Sequence, residues 1–187
     1  MRPNGLPGLR GTEHIGITVP DLTAAVAFFR DVIGCELVYS TGRFGGDGAY
    51  MAGRLNVHPD AVIEGVALLR CGNGCNYELF QYSSPDQRDV AARNSDIGGY
   101  HVCFYVDDID AAADYLRANG VRLLGTPLTQ TEGKIAGESF LYFLAPWGLQ
   151  MELISYPNGK GYEKETTARL WDPRSTNAPK SPFVRLR

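Results

Sequence analysis

Two stretches of the chain alternate apolar and polar positions with the period of two that marks a half-buried strand, and each leads into a helical pattern. The first is His14-Ile15-Gly16-Ile17-Thr18-Val19-Pro20-Asp21-Leu22, followed by Ala24-Ala25-Val26-Ala27-Phe28-Phe29-Arg30. The second is His101-Val102-Cys103-Phe104-Tyr105-Val106-Asp107-Asp108-Ile109, followed by Ala111-Ala112-Ala113-Asp114-Tyr115-Leu116-Arg117. Gly34 and Gly120 stand where a glycine ends a last helical turn. Each half closes on a matching strand, Tyr77-Glu78-Leu79-Phe80-Gln81-Tyr82 and Met151-Glu152-Leu153-Ile154-Ser155-Tyr156. Further strands fit residues 36–41 and 65–71 in the first half, and 121–125 and 139–144 in the second.

The pattern is an internal repeat, and a repeat fixes architecture before any motif does. Each module reads β-α-β-β-β, which predicts an α+β fold with helices on one side and a curved mixed sheet enclosing a cup on the other. Module one is expected over 11–83 and module two over 97–157, together a domain of 11–157, with 158–187 as a C-terminal tail. His101 follows His14 by 87 residues, whereas Glu152 follows Glu78 by 74, so the first module carries an insertion of 13. The glycine-rich stretch from Thr41 to Gly65 is its expected place, as a mobile lid over the cup or an ordinary long loop.

Residues i, i+2 and i+4 of a strand share a face. Ile15, Ile17 and Val19 form the apolar face of the first strand, which sends His14 to the opposite side. By the same rule His101 shares a face with Cys103 and Tyr105, and sits opposite Val102, Phe104 and Val106. Glu78 lies with Phe80 and Tyr82, and Glu152 with Ile154 and Tyr156. One rule therefore places four metal-competent side chains, His14, Glu78, His101 and Glu152, on the concave side. A lone strand histidine is ordinarily structural; the same His…Glu pairing at matched places in a repeat points to a metal site.

Composition narrows the partners. The 187 residues carry a net charge of −3, with no basic footprint for nucleic acid. Apolar runs are too short for a membrane-spanning helix, and Met1-Arg2-Pro3-Asn4-Gly5 lacks the apolar core of a signal peptide. Cys35, Cys71, Cys75 and Cys103 form no CxxC pair, which fits a reducing cytoplasm.

The segments His14-Ile-Gly-Ile-Thr-Val-Pro-Asp-Leu, Tyr77-Glu-Leu-Phe, Gly99-Tyr-His-Val-Cys-Phe-Tyr-Val-Asp-Asp-Ile and Pro146-Trp-Gly…Met-Glu-Leu resemble the vicinal oxygen chelate superfamily. That group includes glyoxalase I, methylmalonyl-CoA epimerase, extradiol dioxygenases, and fosfomycin and bleomycin resistance proteins. The resemblance implies paired modules holding one divalent metal, with ligand positions matching His14, Glu78, His101 and Glu152. Two histidines and two glutamates look like the bacterial glyoxalase I set, which implies nickel, zinc, cobalt or manganese rather than iron. The implied activity is that of a lyase or isomerase moving a proton beside a metal-bound carbonyl of a small molecule or its thiol adduct. Glu152 matches the family's base, and Glu78 a second one in some members. Isomerisation and epimerisation are not separated by the sequence, and an acyl-CoA epimerase, an extradiol-type dioxygenase and a non-catalytic drug-binding resistance protein stand as alternatives. A homodimer is also implied.

Other features add less. Cys71-Gly72-Asn73-Gly74-Cys75 reads as a hairpin turn rather than a metal loop. Arg43, Arg54 and Lys134 are expected in loops where they could hold a substrate anion, with Tyr105 on the cup face as a further substrate contact. Ala145-Pro146-Trp147-Gly148 departs from the family's Asp-Pro-x-Gly turn, and no glutathione-binding signature can be matched. The tail has Leu170-Trp171 as its main apolar anchor, and an arm reaching a neighbouring subunit is the expectation preferred over a flexible end.

Overall fold

In the computed structural model, which describes residues 6–175, the chain forms two units, one ending at Gln87 and the other beginning at Arg88. The first runs β1 (His14–Thr18), α1 (Leu22–Ala27), β2 (Glu36–Thr41), β3 (Phe44–Gly45), α2 (Gly48–Leu55), β4 (Val62–Arg70) and β5 (Asn76–Ser83). The second runs β6 (Val102–Tyr105), α3 (Ile109–Ala118), β7 (Arg122–Leu123), β8 (Leu128–Thr129), β9 (Ser139–Leu144) and β10 (Gln150–Ser155). The repeat is visible in the pairing. The sheets are ordered β1-β5-β4-β2 and β6-β10-β9-β7, the first pair parallel and the rest antiparallel, with β3 and β8 added at β4 and β9.

The aspartate after each repeated strand starts a helix. Asp21 Oδ1 accepts the Ala24 N–H at 2.9 Å and Asp108 Oδ1 the Ala111 N–H at 3.0 Å, satisfying donors that a first helical turn leaves open. Past Ala27 the first helix widens into a π-helical segment, Phe28–Ile33, which buries both Phe28 and Phe29. Gly34 then ends it at φ 89°, a left-handed conformation that suits glycine, and Gly120 follows α3 at φ 72°.

The apolar faces lie where alternation puts them. In the first unit Ile17, Val19, Phe29, Leu69, Tyr77 and Leu79 are buried, with the Phe29 and Tyr77 rings 5.1 Å apart. In the second, Val102, Leu141, Phe143, Met151 and Leu153 are buried together with Ile109, Ala113 and Leu116 of α3.

The insertion is a helix rather than a loop. Asp47 Oδ1 accepts the Tyr50 N–H at 3.0 Å and so starts α2. Met51 from this helix is fully buried in a small cluster with Ala61 and Ile63, against which Val66, Phe80 and Tyr82 pack. A bulge makes this possible. Ile63 pairs with Tyr82 but Gly65 pairs with Gln81, so the extra residue Glu64 turns Ile63 to the face that carries Phe80. The helix α2 therefore covers one end of the Glu78 face. No helix among the described residues is long and apolar enough to cross a membrane.

Candidate metal centre

Each unit contributes one histidine and one glutamate to the same face of its sheet. In the first, the parallel register sets His14 beside Asn76 and Gly16 beside Glu78, and His14 Nε2 lies 3.2 Å from Glu78 Oε2. In the second, Glu152 pairs with Cys103 across the parallel ladder, and His101 Nε2 lies 3.0 Å from Glu152 Oε2. The second pair is the drier one: side-chain exposure is 11% for Glu152 against 24% for Glu78.

The other ring nitrogen of each histidine is also tied. His14 Nδ1 lies 2.5 Å from Glu13 Oε2, and Asn76 holds the other oxygen of that carboxylate at 2.8 Å. The hydrogen bond from His14 holds the Glu13 carboxyl below its usual range and raises the His14 pKa, an effect that desolvation opposes and the Glu78 charge supports. His101 Nδ1 lies 3.0 Å from Asn94 Oδ1, and its ring meets Tyr142 edge-on at 5.3 Å. Asn94 is presented by a tight loop in which Asp96 accepts from Arg93 N and Gly99 N donates to Asp96 O. A Cβ at Gly99 would stand 2.0 Å from the Arg93 carbonyl oxygen, so the loop closes only with glycine there.

This arrangement fits a metal. With Nδ1 donating to Glu13 or Asn94, each Nε2 turns a lone pair toward a carboxylate oxygen about 3 Å away. Two lone pairs at that separation repel unless a cation lies between them or the ring is protonated. A second acceptor behind the ring orients it and raises its basicity, as in histidines that ligate metals. Among the described residues no group of three or more His, Cys, Asp or Glu side chains is gathered that could hold a metal ion. Each unit brings one histidine and one glutamate together.

Around Glu152 the face is polar and closely held. The Cys103 thiol donates to the Glu152 carboxylate, and burial first, then the Glu152 charge, pushes its pKa up. At the far end of the same face Lys160 pairs with Glu138, both side chains nearly buried, and its ammonium stands 4.3 Å from the centroid of the Tyr156 ring. Arg174 lies over Tyr105 and Tyr156, donates to the Tyr156 and Pro157 carbonyls at 3.1 and 3.0 Å, and is paired with Asp172 at 2.9 Å.

Of the four expected substrate contacts, only Tyr105 lies on the face that bears Glu152, with its ring 4.9 Å from that of Tyr156. Arg43 is paired with Glu64 at 3.2 Å, and Lys134, in a 3₁₀ turn, with Glu165. Arg54 is not in a loop but in the last turn of α2, because the insertion is helical there. Lys160 and Arg174 tie the segment 158–175 to its own unit; residues 176–187 lie outside the described residues. Leu170 and Trp171 are 65% and 64% exposed, and within the unit the cations Lys160 and Arg174 hold the segment. Sequence reasoning missed Glu13, Asn94, Glu138 and Lys160. For Glu13 the adjacent His14 was an available signal; the other three belong to loops whose course no periodicity predicts.

The family model described as the Glyoxalase/Bleomycin resistance protein/Dioxygenase superfamily matches residues 13–142. The chain is 47% identical, over 94% of its length and 96% of the relative's, to a 2-epi-5-epi-valiolone epimerase from Actinomyces sp. It is 30% identical to the Escherichia coli (strain K12) protein YaeR, over 78% of this chain and 96% of that one. The solved structure of a glyoxalase family protein from Bacillus cereus matches with a TM-score of 0.61 at 23% identity, covering 83% of this chain and 97% of that chain. The fosfomycin resistance protein FosX from Listeria monocytogenes, solved with Mn(II) and sulfate ion, matches with a TM-score of 0.53 at 17% identity, covering 84% and 99%.

Proposed function

The chain belongs to the glyoxalase, bleomycin resistance protein and dioxygenase superfamily, and on that premise we propose that it is a metal-dependent epimerase of a small ketone. The observation that carries this reading is the 47% identity, over nearly the whole chain, to an epimerase whose substrate is a ketone by its name. Inversion at a carbon beside a carbonyl is also what two carboxylates near one cation suit. His14, Glu78, His101 and Glu152 would hold the ion between them, two imidazoles and two carboxylates balancing a divalent charge. Such an ion supplies Lewis-acid stabilisation of negative charge on a substrate oxygen. Nickel, zinc, cobalt and manganese all suit this donor set, and manganese is the ion in the FosX complex.

Glu152 is the residue we assign to take the proton from carbon. Its carboxylate is buried, oriented by His101 and held by the Cys103 thiol, so it meets substrate with little reorganisation. Glu78, more exposed, serves the opposite face. A proton returned there gives the epimer, whereas one returned to the neighbouring carbon gives a glyoxalase I-like isomerisation. With Arg43 paired to Glu64 and Lys134 to Glu165, recognition of a small neutral polar substrate is assigned in this reading to Tyr105 and the aromatic face. The protein acts as a homodimer in this reading.

The test is turnover of 2-epi-5-epi-valiolone in deuterated buffer with Mn(II) supplied, followed by proton NMR. The expected product is an epimer carrying one solvent deuterium at the inverted carbon. A positional isomer would move the assignment to the glyoxalase I type of reaction, and an epimer that keeps its original proton would exclude exchange through a carboxylate base.

A further inference from the structure

We propose that Cys35 and Cys71 are a peroxide-oxidisable thiol pair that closes into a disulfide across β2 and β4. The ladder brings them together. Glu36 pairs with Arg70 and Leu37 with Leu69, so the next step outward sets Cys35 opposite Cys71. Facing residues of an antiparallel pair have Cα atoms about 4.5–5.5 Å apart. A disulfide accepts about 4.4–6.8 Å. The two side chains share a face, that of buried Leu69, and their sulfurs are already joined by a hydrogen bond.

Both backbones are fixed from outside the pair. Cys35 N donates to Phe29 O at 2.8 Å, and Cys71 O accepts from Gly74 N at 2.9 Å in the β4–β5 turn. Their environments are unequal in the way an attacking and a resolving thiol require. Cys35 is 3% exposed, and the Cys71 hydrogen bond, with burial, keeps its proton on; Cys71 is half-buried, and the same hydrogen bond lowers its pKa. Cys75 completes the row on the other side of Cys71, since Arg70 pairs with Asn76. Burial raises the Cys75 pKa, however, and these cysteines are not among groups that could hold a metal ion.

The chemistry balances with one peroxide. The Cys71 thiolate attacks a peroxide oxygen, the O–O bond breaks, and the departing hydroxide takes a proton to leave as water. The Cys35 sulfur then attacks the resulting sulfenic acid, the S–O bond breaks, and the hydroxyl leaves as a second water with the Cys35 proton. Two thiols are oxidised by two electrons, and the peroxide is reduced by two.

The experiment uses the full chain, reduced, freed of reductant, treated with a small excess of hydrogen peroxide, alkylated and digested with trypsin without reduction. Cleavage after Arg30, Arg43, Arg70 and Arg88 yields the peptides 31–43 and 71–88. The expected result is a cross-link between these two peptides that dithiothreitol splits. It should appear in the natural chain and in Cys75→Ser, and be missing in Cys71→Ser and Cys35→Ser. A link confined to peptide 71–88, a link that survives Cys71→Ser, sulfinic acid at Cys71 with no link, or complete alkylation of all four cysteines would each overturn the proposal.

Discussion

Each candidate metal-binding histidine is held from behind by a polar residue, Glu13 for His14 and Asn94 for His101. Removing either partner frees the ring without touching a donor atom. We predict that Glu13→Ala and Asn94→Ala each weaken metal affinity by about 10–100-fold, the usual effect of losing a hydrogen bond behind a metal ligand. Titration of a chelator-stripped protein reads this directly, and unchanged affinity would mean that the rings are oriented by other contacts. Glu152→Gln should cost about 10²–10⁴ in rate by loss of the general base. Glu78→Gln should keep more activity, and the reverse ranking in deuterium exchange would exchange the two roles. At this scale the four metal-competent residues were legible because alternation is a strict rule in strands. Glu13 was not, since it precedes the strand in which that rule holds. Asn94 was not, because its contact depends on a loop that closes only around Gly99.

The elements show where a pattern stops carrying information. The offset between the repeats located the insertion, but its glycines read as an open loop. The structure has a capped helix there because Asp47 and Met51 supply a start and an anchor, which outweigh the poor helix propensity of Gly48 and Gly53. Asp47→Ala should destabilise the first unit by about 1 kcal/mol through the lost cap, measurable by urea unfolding. The segment after β10 was set aside as a tail, read as an arm for a neighbouring subunit because its charge, proline and threonine content carries no periodicity. Lys160 is instead paired with Glu138 in a nearly dry setting. Breaking a buried pair from one side leaves an uncompensated charge and costs about 3–5 kcal/mol. Lys160→Met should therefore lower stability by that order, and Lys160→Met combined with Glu138→Leu should recover most of it. Equal loss in both variants would show that the ammonium over Tyr156, rather than the pair, holds the segment.

At the scale of the whole molecule, one strand order occurs twice, and each copy closes one end of its His–Glu face with a different device. The first uses the inserted helix α2 and the second the segment that carries Lys160 and Arg174. Duplication was readable in the sequence because both copies kept the histidine, the capping aspartate and the final glutamate-bearing strand. The closing devices were not, because each belongs to one copy only. Truncation after Pro157 should consequently lower the melting temperature of the chain itself, by uncovering Tyr156 and stranding Glu138, whatever it does to assembly. The central claim is the proposal that His14, Glu78, His101 and Glu152 hold a divalent metal. Calorimetric titration of the chelator-stripped full chain with Mn(II) tests it most directly, in the natural protein, His14→Ala and His101→Ala. The account predicts Mn(II) binding by the natural protein and loss of binding in both variants, since each variant removes one of the proposed donors. Undiminished binding in either variant, or no binding in the natural protein, would contradict it.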